Sequence, residues 1–221
     1  MTFDPSSKNR LTRHDLARFS SPSLFDRLGR AVCAAGCLPR KELYEAWELA
    51  RRVRRRFRGG HVVDVGGGHG LLAHVLLLID RTSPSAVVVD PQPPRSAGTL
   101  RAALRDAWPD LPPVTHQRAS FDDVAVAPAD LVVSCHACGP LADRILARAA
   151  AARARVAVMP CCHHVDGREA LDGWMDPALA IDARRAFTLQ QRDYTVWTAT
   201  IPAAITPKHR VLMGAPRPPA R

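Results

Sequence analysis

The chain has 221 residues, 47% of them hydrophobic and 24% charged, with a net charge of +10 and a pI of about 10.2. That length makes one domain with room for a full core, and the balance is that of a globular protein rather than a fibrous or disordered one. The longest apolar run, around Val75–Ile79, is too short to cross a bilayer, and Met1–Pro5 has no apolar signal core, so a cytoplasmic protein with its six cysteines as thiols is expected. The basic side is nearly all arginine. This fits a polyanionic partner such as RNA; it also fits a GC-rich genome that spreads arginine over every face.

Residues 1–20 are polar and read as a loosely held N-terminus, followed by a helical segment over 21–58. Ser21-Pro22 reads as an N-cap with proline at the first helical position. Phe25, Leu28, Val32 and Ala35 then mark one face of a helix that Gly36 ends. Cys33 and Cys37, four apart, read as core filling. A second helix runs from Pro39 to Phe57, with Leu43, Trp47, Ala50, Val53 and Phe57 as its apolar stripe. Its other faces carry Arg51, Arg52, Arg54, Arg55, Arg56 and Arg58, the densest basic run in the chain. Two readings stand: a solvated helix end favoured by the dipole, or a face that tracks phosphates of RNA.

The organising stretch is His61–Gly70, H-V-V-D-V-G-G-G-H-G. Val62, Val63 and Val65 suit a buried strand, and Leu71, Leu72, Val75 and Leu76 suit the helix after the glycines. Val87-Val88-Val89-Asp90 is a second strand ending in an acid about 20 residues after the loop, where a carboxylate can accept from both hydroxyls of a ribose. The G-x-G-x-x-G spacing of dinucleotide sites is missing. The stretch from Asp64 to Gly70 instead resembles D-x-G-x-G-x-G, motif I of class I S-adenosylmethionine (SAM) methyltransferases. That resemblance implies SAM as cofactor, held by Asp64, Gly66, Gly67, Gly68, Gly70 and Asp90.

From residue 61 strands and helices alternate, which argues a parallel sheet covered on both faces. Strands are expected at 61–65, 86–90, 114–119, 130–134 and 155–159, with helices at 70–80, 97–107, 140–151 and 177–186. A closing antiparallel hairpin is expected from 191–201 and 209–213. The resemblance implies an α/β, Rossmann-like class I methyltransferase fold with a seven-stranded, mostly parallel sheet of order 3-2-1-4-5-7-6. The SAM-binding domain covers 59–214, and the Pro-rich tail 215–221 is expected to be irregular. Asp122, after strand three, is placed to accept from the adenine amino group. Ser134, ending strand four, completes the cofactor set.

Strand four runs into Ser134-Cys135-His136-Ala137-Cys138-Gly139, and strand five into Pro160-Cys161-Cys162-His163-His164. The sheet order brings both ends, with His69, to one edge. Three readings remain open. Cys138, Cys161, Cys162 and His163 have the ligand types of a thiolate/imidazole metal site, although adjacent cysteines on an extended chain point apart. His136, His163 or His164 suits a base that takes a proton from the accepting hydroxyl or amine. Small soft residues can also simply pack beneath a substrate pocket. Cys135–Gly139 and Leu141-Ala142-Asp143 resemble the L-H-x-C-G-x-L-x-D signature of a methyltransferase-domain family, whose C-C-x-H or C-C-H-H motif matches Cys161–His164. Thr206–Arg210 resembles its T-P-K-N-R stretch. Acceptor-stem tRNA 2′-O-methyltransferases are similar at the first two places. The resemblance implies methyl transfer to an O or N atom, tRNA being the implied acceptor. The leading Leu of the signature is Cys135 here, and the zinc-finger modules of the tRNA enzymes are absent, which keeps a small-molecule or protein acceptor open. A regulatory domain that binds SAM or metal without turnover is the third possibility.

Overall fold

The structure is a computed structural model that describes residues 3–163 and 173–218. Runs of β-branched residues form Val62–Val65 (β1) and Ala86–Val89 (β2), which lie parallel with Asp64 opposite Val88 and Val65 opposite Val89. Val114–Gln117 (β3), Leu131–Ala137 (β4) and Arg155–Pro160 (β5) extend the parallel sheet. Tyr194–Thr200 (β6) and Arg210–Pro216 (β7) form a hairpin that adds antiparallel to β5 through β7. The order β3-β2-β1-β4-β5-β7-β6 is the expected one. It reverses between β1 and β4, so the crevice where α/β sheets bind ligands opens at their carboxyl ends.

Side chains alternate across the sheet and divide the core in two. Val62, Val88, Val133 and Met159 face a layer of Leu24–Ala35 (α1), Arg40–Arg54 (α2), Leu71–Asp80 (α3) and Ala97–Ala107 (α4). Val63, Val89, Val132 and Val158 face Pro140–Ala151 (α5) and Pro177–Gln190 (α6). No helix of the described residues is long and apolar enough to cross a membrane.

Three local expectations are corrected. Residues 3–20 are packed rather than loose. Leu11 and Phe19 are buried, Leu11 N–H donates to the Leu38 carbonyl at 2.9 Å, and the Arg40 guanidinium sits 3.6 Å over the Phe3 ring. A few apolar anchors suffice there, and the polar composition hides them. The first helix is capped by Ser23, whose Oγ accepts from Asp26 N–H at 3.2 Å, so Pro22 precedes the cap instead of following it. The tail is regular for two residues: Ala215 and Pro216 pair with Thr195 and Tyr194. Proline is tolerated because it ends the strand, where a missing N–H leaves no ladder bond broken.

Candidate active site

After β1 the chain must reverse into α3 within five residues. Gly66, Gly68 and Gly70 do this with φ of 64°, 52° and 79°, a region open to glycine. Gly67 is required for a different reason: a Cβ there would lie 2.6 Å from the Asp64 carboxylate. Asp64 is fully buried. Its Oδ2 accepts from Ala73 N–H at 3.2 Å, and its Oδ1 has no partner among the described residues. Burial pushes its pKa up to about 7, against the pull of the Ala73 hydrogen bond. Across the loop, Asp90 accepts from Gly68 N–H at 3.1 Å and from Gln92 N–H at 2.8 Å. The half-buried carboxylate therefore faces the turn, with a free lone pair on each oxygen.

The sequence pattern does not single out α2 as a wall of the site, yet its first turns form one. Glu42 and Ala46 join Asp64, Gly66, Gly67, His69, Cys135 and His136 around a cavity of about 30 Å³. Glu45 is buried, pairs with Lys41 Nζ at 2.8 Å, and lies 3.6 Å from His136 Nε2. Burial holds the His136 pKa below its usual value, with Glu45 pulling the other way. The signal for Glu45 is an acid off the apolar stripe of a helix that leads into β1, which alone does not distinguish a buried face from a wet one.

At the ends of β4 and β5 the Sγ atoms of Cys138, Cys161 and Cys162 gather within 4.8 Å of one another. The neighbours Cys161 and Cys162 thus converge, because the extended strand ends at Pro160. Burial pushes the Cys138 and Cys161 thiols up. His163 does not join them. Its Nε2–H donates to Asp182 Oδ1 at 2.8 Å, and its buried Nδ1 has no partner among the described residues. Asp182 also accepts from Arg185 at 3.1 Å and Arg210 at 2.7 Å, while Arg185 reaches Asp143 at 2.7 Å. Asp143 and Arg210, from two separate signature stretches, therefore meet through one ion-pair network beneath the β5 loop. Asp182 and Arg185 belong to no motif in the sequence, and their acid–base spacing of three on α6 is the one available hint.

Other expected residues are placed differently. His69 turns to α4, with Nε2 2.9 Å from Ser96 Oγ, and does not approach the thiols. Asp122 is exposed and engaged by Arg144 at 3.3 Å, a contact to α5. Ser134 is fully buried within β4, and its Oγ has no partner among the described residues. His164 lies outside the described residues. Of the arginines, Arg52 and Arg51 bond Glu48, Arg54 pairs with Asp80 at 3.2 Å, and Arg56 lies 5.5 Å over Trp197. Arg54 meets the end of α3 whose start is the glycine loop, so this run occupies the amino edge of the sheet. At 1.5 Å per residue, α3 sets it roughly 15 Å from the loop.

A glycine cradle, an acid facing it from the next strand and an orphaned buried carboxylate oxygen beside it fit SAM. Sheet order and site define a class I SAM-dependent methyltransferase. The chain belongs to the methyltransferase-domain family whose model matches residues 41–165, and S-adenosylmethionine is its cofactor. No curated protein matches the chain. Among solved structures it is similar to the O-methyltransferase TomG from Streptomyces achromogenes in complex with SAM, at 18% identity and a TM-score of 0.58, covering 99% of this chain and 100% of that one. It is also similar to ribosomal protein L11 methylase from Lactobacillus delbrueckii subsp. bulgaricus (15% identity, TM-score 0.52, 76% and 77% covered). A third likeness is to the M1A22 tRNA methyltransferase TrmK from B. subtilis (13%, 0.51, 76% of this chain and 65% of that one). At these identities the likeness is one of fold.

Proposed function

We propose that the chain methylates an oxygen or nitrogen atom of RNA, with tRNA as the first acceptor to test. When bound, SAM supplies a methyl group made electrophilic by its sulfonium. Asp90 would accept from the ribose hydroxyls, and Asp64 Oδ1 would face the cationic amino group of the methionine part, for which the 30 Å³ cavity leaves room. His136, half-exposed and lining that cavity, would take the acceptor's proton, with Glu45 orienting its ring. His163 and Asp182 would hold the β5 loop that borders the acceptor; His164 is a further proton acceptor in this reading. Asp122 and Ser134 would serve the adenine side only after giving up or sharing their present surroundings.

The observation that carries the RNA reading is the meeting of the H-x-C-G stretch with Cys161, Cys162 and His163 at one sheet edge, together with a net charge of +10. The exposed Arg55, Arg56 and Arg58, with Arg51, would grip a phosphate backbone long enough to reach from the amino edge to the loop. A small-molecule acceptor is favoured by a different feature, a largely apolar cavity of about 440 Å³ between α6 and the β6–β7 hairpin, lined by Pro160, Leu179, Ala186, Thr198 and Val211. Mass spectrometry of nucleosides from cells with and without the protein separates the two. A methylated nucleoside that vanishes with the protein and with Asp90→Ala supports RNA. An unchanged nucleoside profile, with transfer to a small-molecule fraction instead, overturns it.

A further inference from the structure

Strand register alone sets two thiols side by side. Ala137 pairs with Pro160 across β4 and β5, after a bulge that follows Ser134, so Cys138 and Cys161 leave the sheet as neighbours. A backbone clamp brings the third: Gly139 N–H donates to the Cys162 carbonyl at 2.7 Å. Gly139 makes this bend with φ 52° and ψ −128°, which a side chain would resist.

The resulting triangle has the dimensions of a metal site. Four-coordinate zinc with Zn–S bonds of about 2.3 Å holds its thiolates about 3.8 Å apart. Sulfurs already within 4.8 Å of one another need to close by at most about 1 Å to reach that spacing. Cys161 is buried while Cys138 and Cys162 are exposed, so the triangle opens toward solvent at the carboxyl edge of the sheet. His163 holds Asp182 through Nε2, and neither of its ring nitrogens lies within 4.8 Å of all three sulfurs. Among the described residues no other His, Cys, Asp or Glu joins the group.

We propose that Cys138, Cys161 and Cys162 bind one zinc ion as thiolates and leave its fourth position to an exchangeable ligand such as water, a thiol or an imidazole. Three S–H bonds break, three Zn–S bonds form and three protons pass to solvent, so no oxidant or reductant is needed. The site adjoins the cofactor loop through α5: Leu141, whose N–H bonds the Cys138 carbonyl, lies 3.5 Å from where a Gly66 Cβ would be. The metal site does not depend on which acceptor is methylated.

The full chain, purified under reducing conditions without chelator, is loaded with cobalt(II) and assayed for zinc by mass spectrometry. Expected are one metal per chain, a thiolate-to-cobalt charge-transfer band in the near ultraviolet, and strong visible bands of four-coordination. Cys138→Ser and Cys162→Ser, at exposed positions, should each abolish the band while metal-free melting stays unchanged; Cys37→Ser should keep it. A reduced wild-type chain without the charge-transfer band overturns the proposal. So does a band that survives both substitutions.

Discussion

Replacing Gly67 by alanine tests the close approach that shapes the cofactor loop. The added Cβ would lie 2.6 Å from Asp64 Cγ and Oδ2 and 2.9 Å from Oδ1. Neither side can yield easily. Asp64 is fully buried and bonded to Ala73 N–H, and Gly67 stands between two glycines at positive φ. Overpacking of this kind costs about 1–3 kcal/mol. In a chain of this size that lowers Tm by roughly 2–12 °C. Asp64→Ala removes the atoms in the way, so Gly67→Ala in that background should cost under about 0.5 kcal/mol, leaving a coupling of about 0.5–3 kcal/mol. Denaturant melts of the four proteins measure the cycle. Additive effects, or Gly67→Ala alone matching the wild type, would refute the reasoning.

Asp90→Asn should raise the Kd for S-adenosylhomocysteine by about 100-fold, since two charge-assisted hydrogen bonds to ribose weaken at about 1.5 kcal/mol each; titration calorimetry reads this, and a change under about threefold would deny Asp90 its role. The pH dependence of stability should betray Asp64 and His74. Asp64 ionises near 7 in the folded chain against 3.8 ordinarily, so its ionisation costs stability as pH rises from 4 through 7. His74 is buried and lowered to about 4, so its contribution is full above 6.5 and is lost as pH falls toward 4. Asp64→Asn should therefore gain on the wild type by about 4 kcal/mol between pH 4 and pH 8, read from denaturant melts; a constant difference would count against the buried carboxylate. Tyr194→Phe leaves the Ala149 and Ala154 carbonyls without the hydroxyl that reaches them at 2.9 and 2.8 Å, and should cost about 1–2 kcal/mol in the same assay.

The strands were legible because β1, β2 and β4 carry β-branched runs, and their order followed from the family that the cofactor loop and its acid on consecutive elements resemble. The remainder of the site depends on which helix faces meet in space. Glu45 approaches His136 only because α2 packs over β4, and Asp182 reaches His163 only because α6 lies against the β5 loop. Neither contact leaves a periodic trace. Alternation along an extended chain predicts that Cys161 and Cys162 diverge, and it fails because the strand stops one residue earlier and Gly139 captures the Cys162 carbonyl. The arginine run was legible as charge, but its location at the amino edge follows from where α3 ends.

The most direct measurement is a crystal structure of the full chain with S-adenosylhomocysteine. The account predicts ribose hydroxyls on the Asp90 carboxylate and the amino acid part over Gly66–Gly68, beside Asp64. Ligand density on another edge of the sheet, or a ribose out of reach of Asp90, would contradict it.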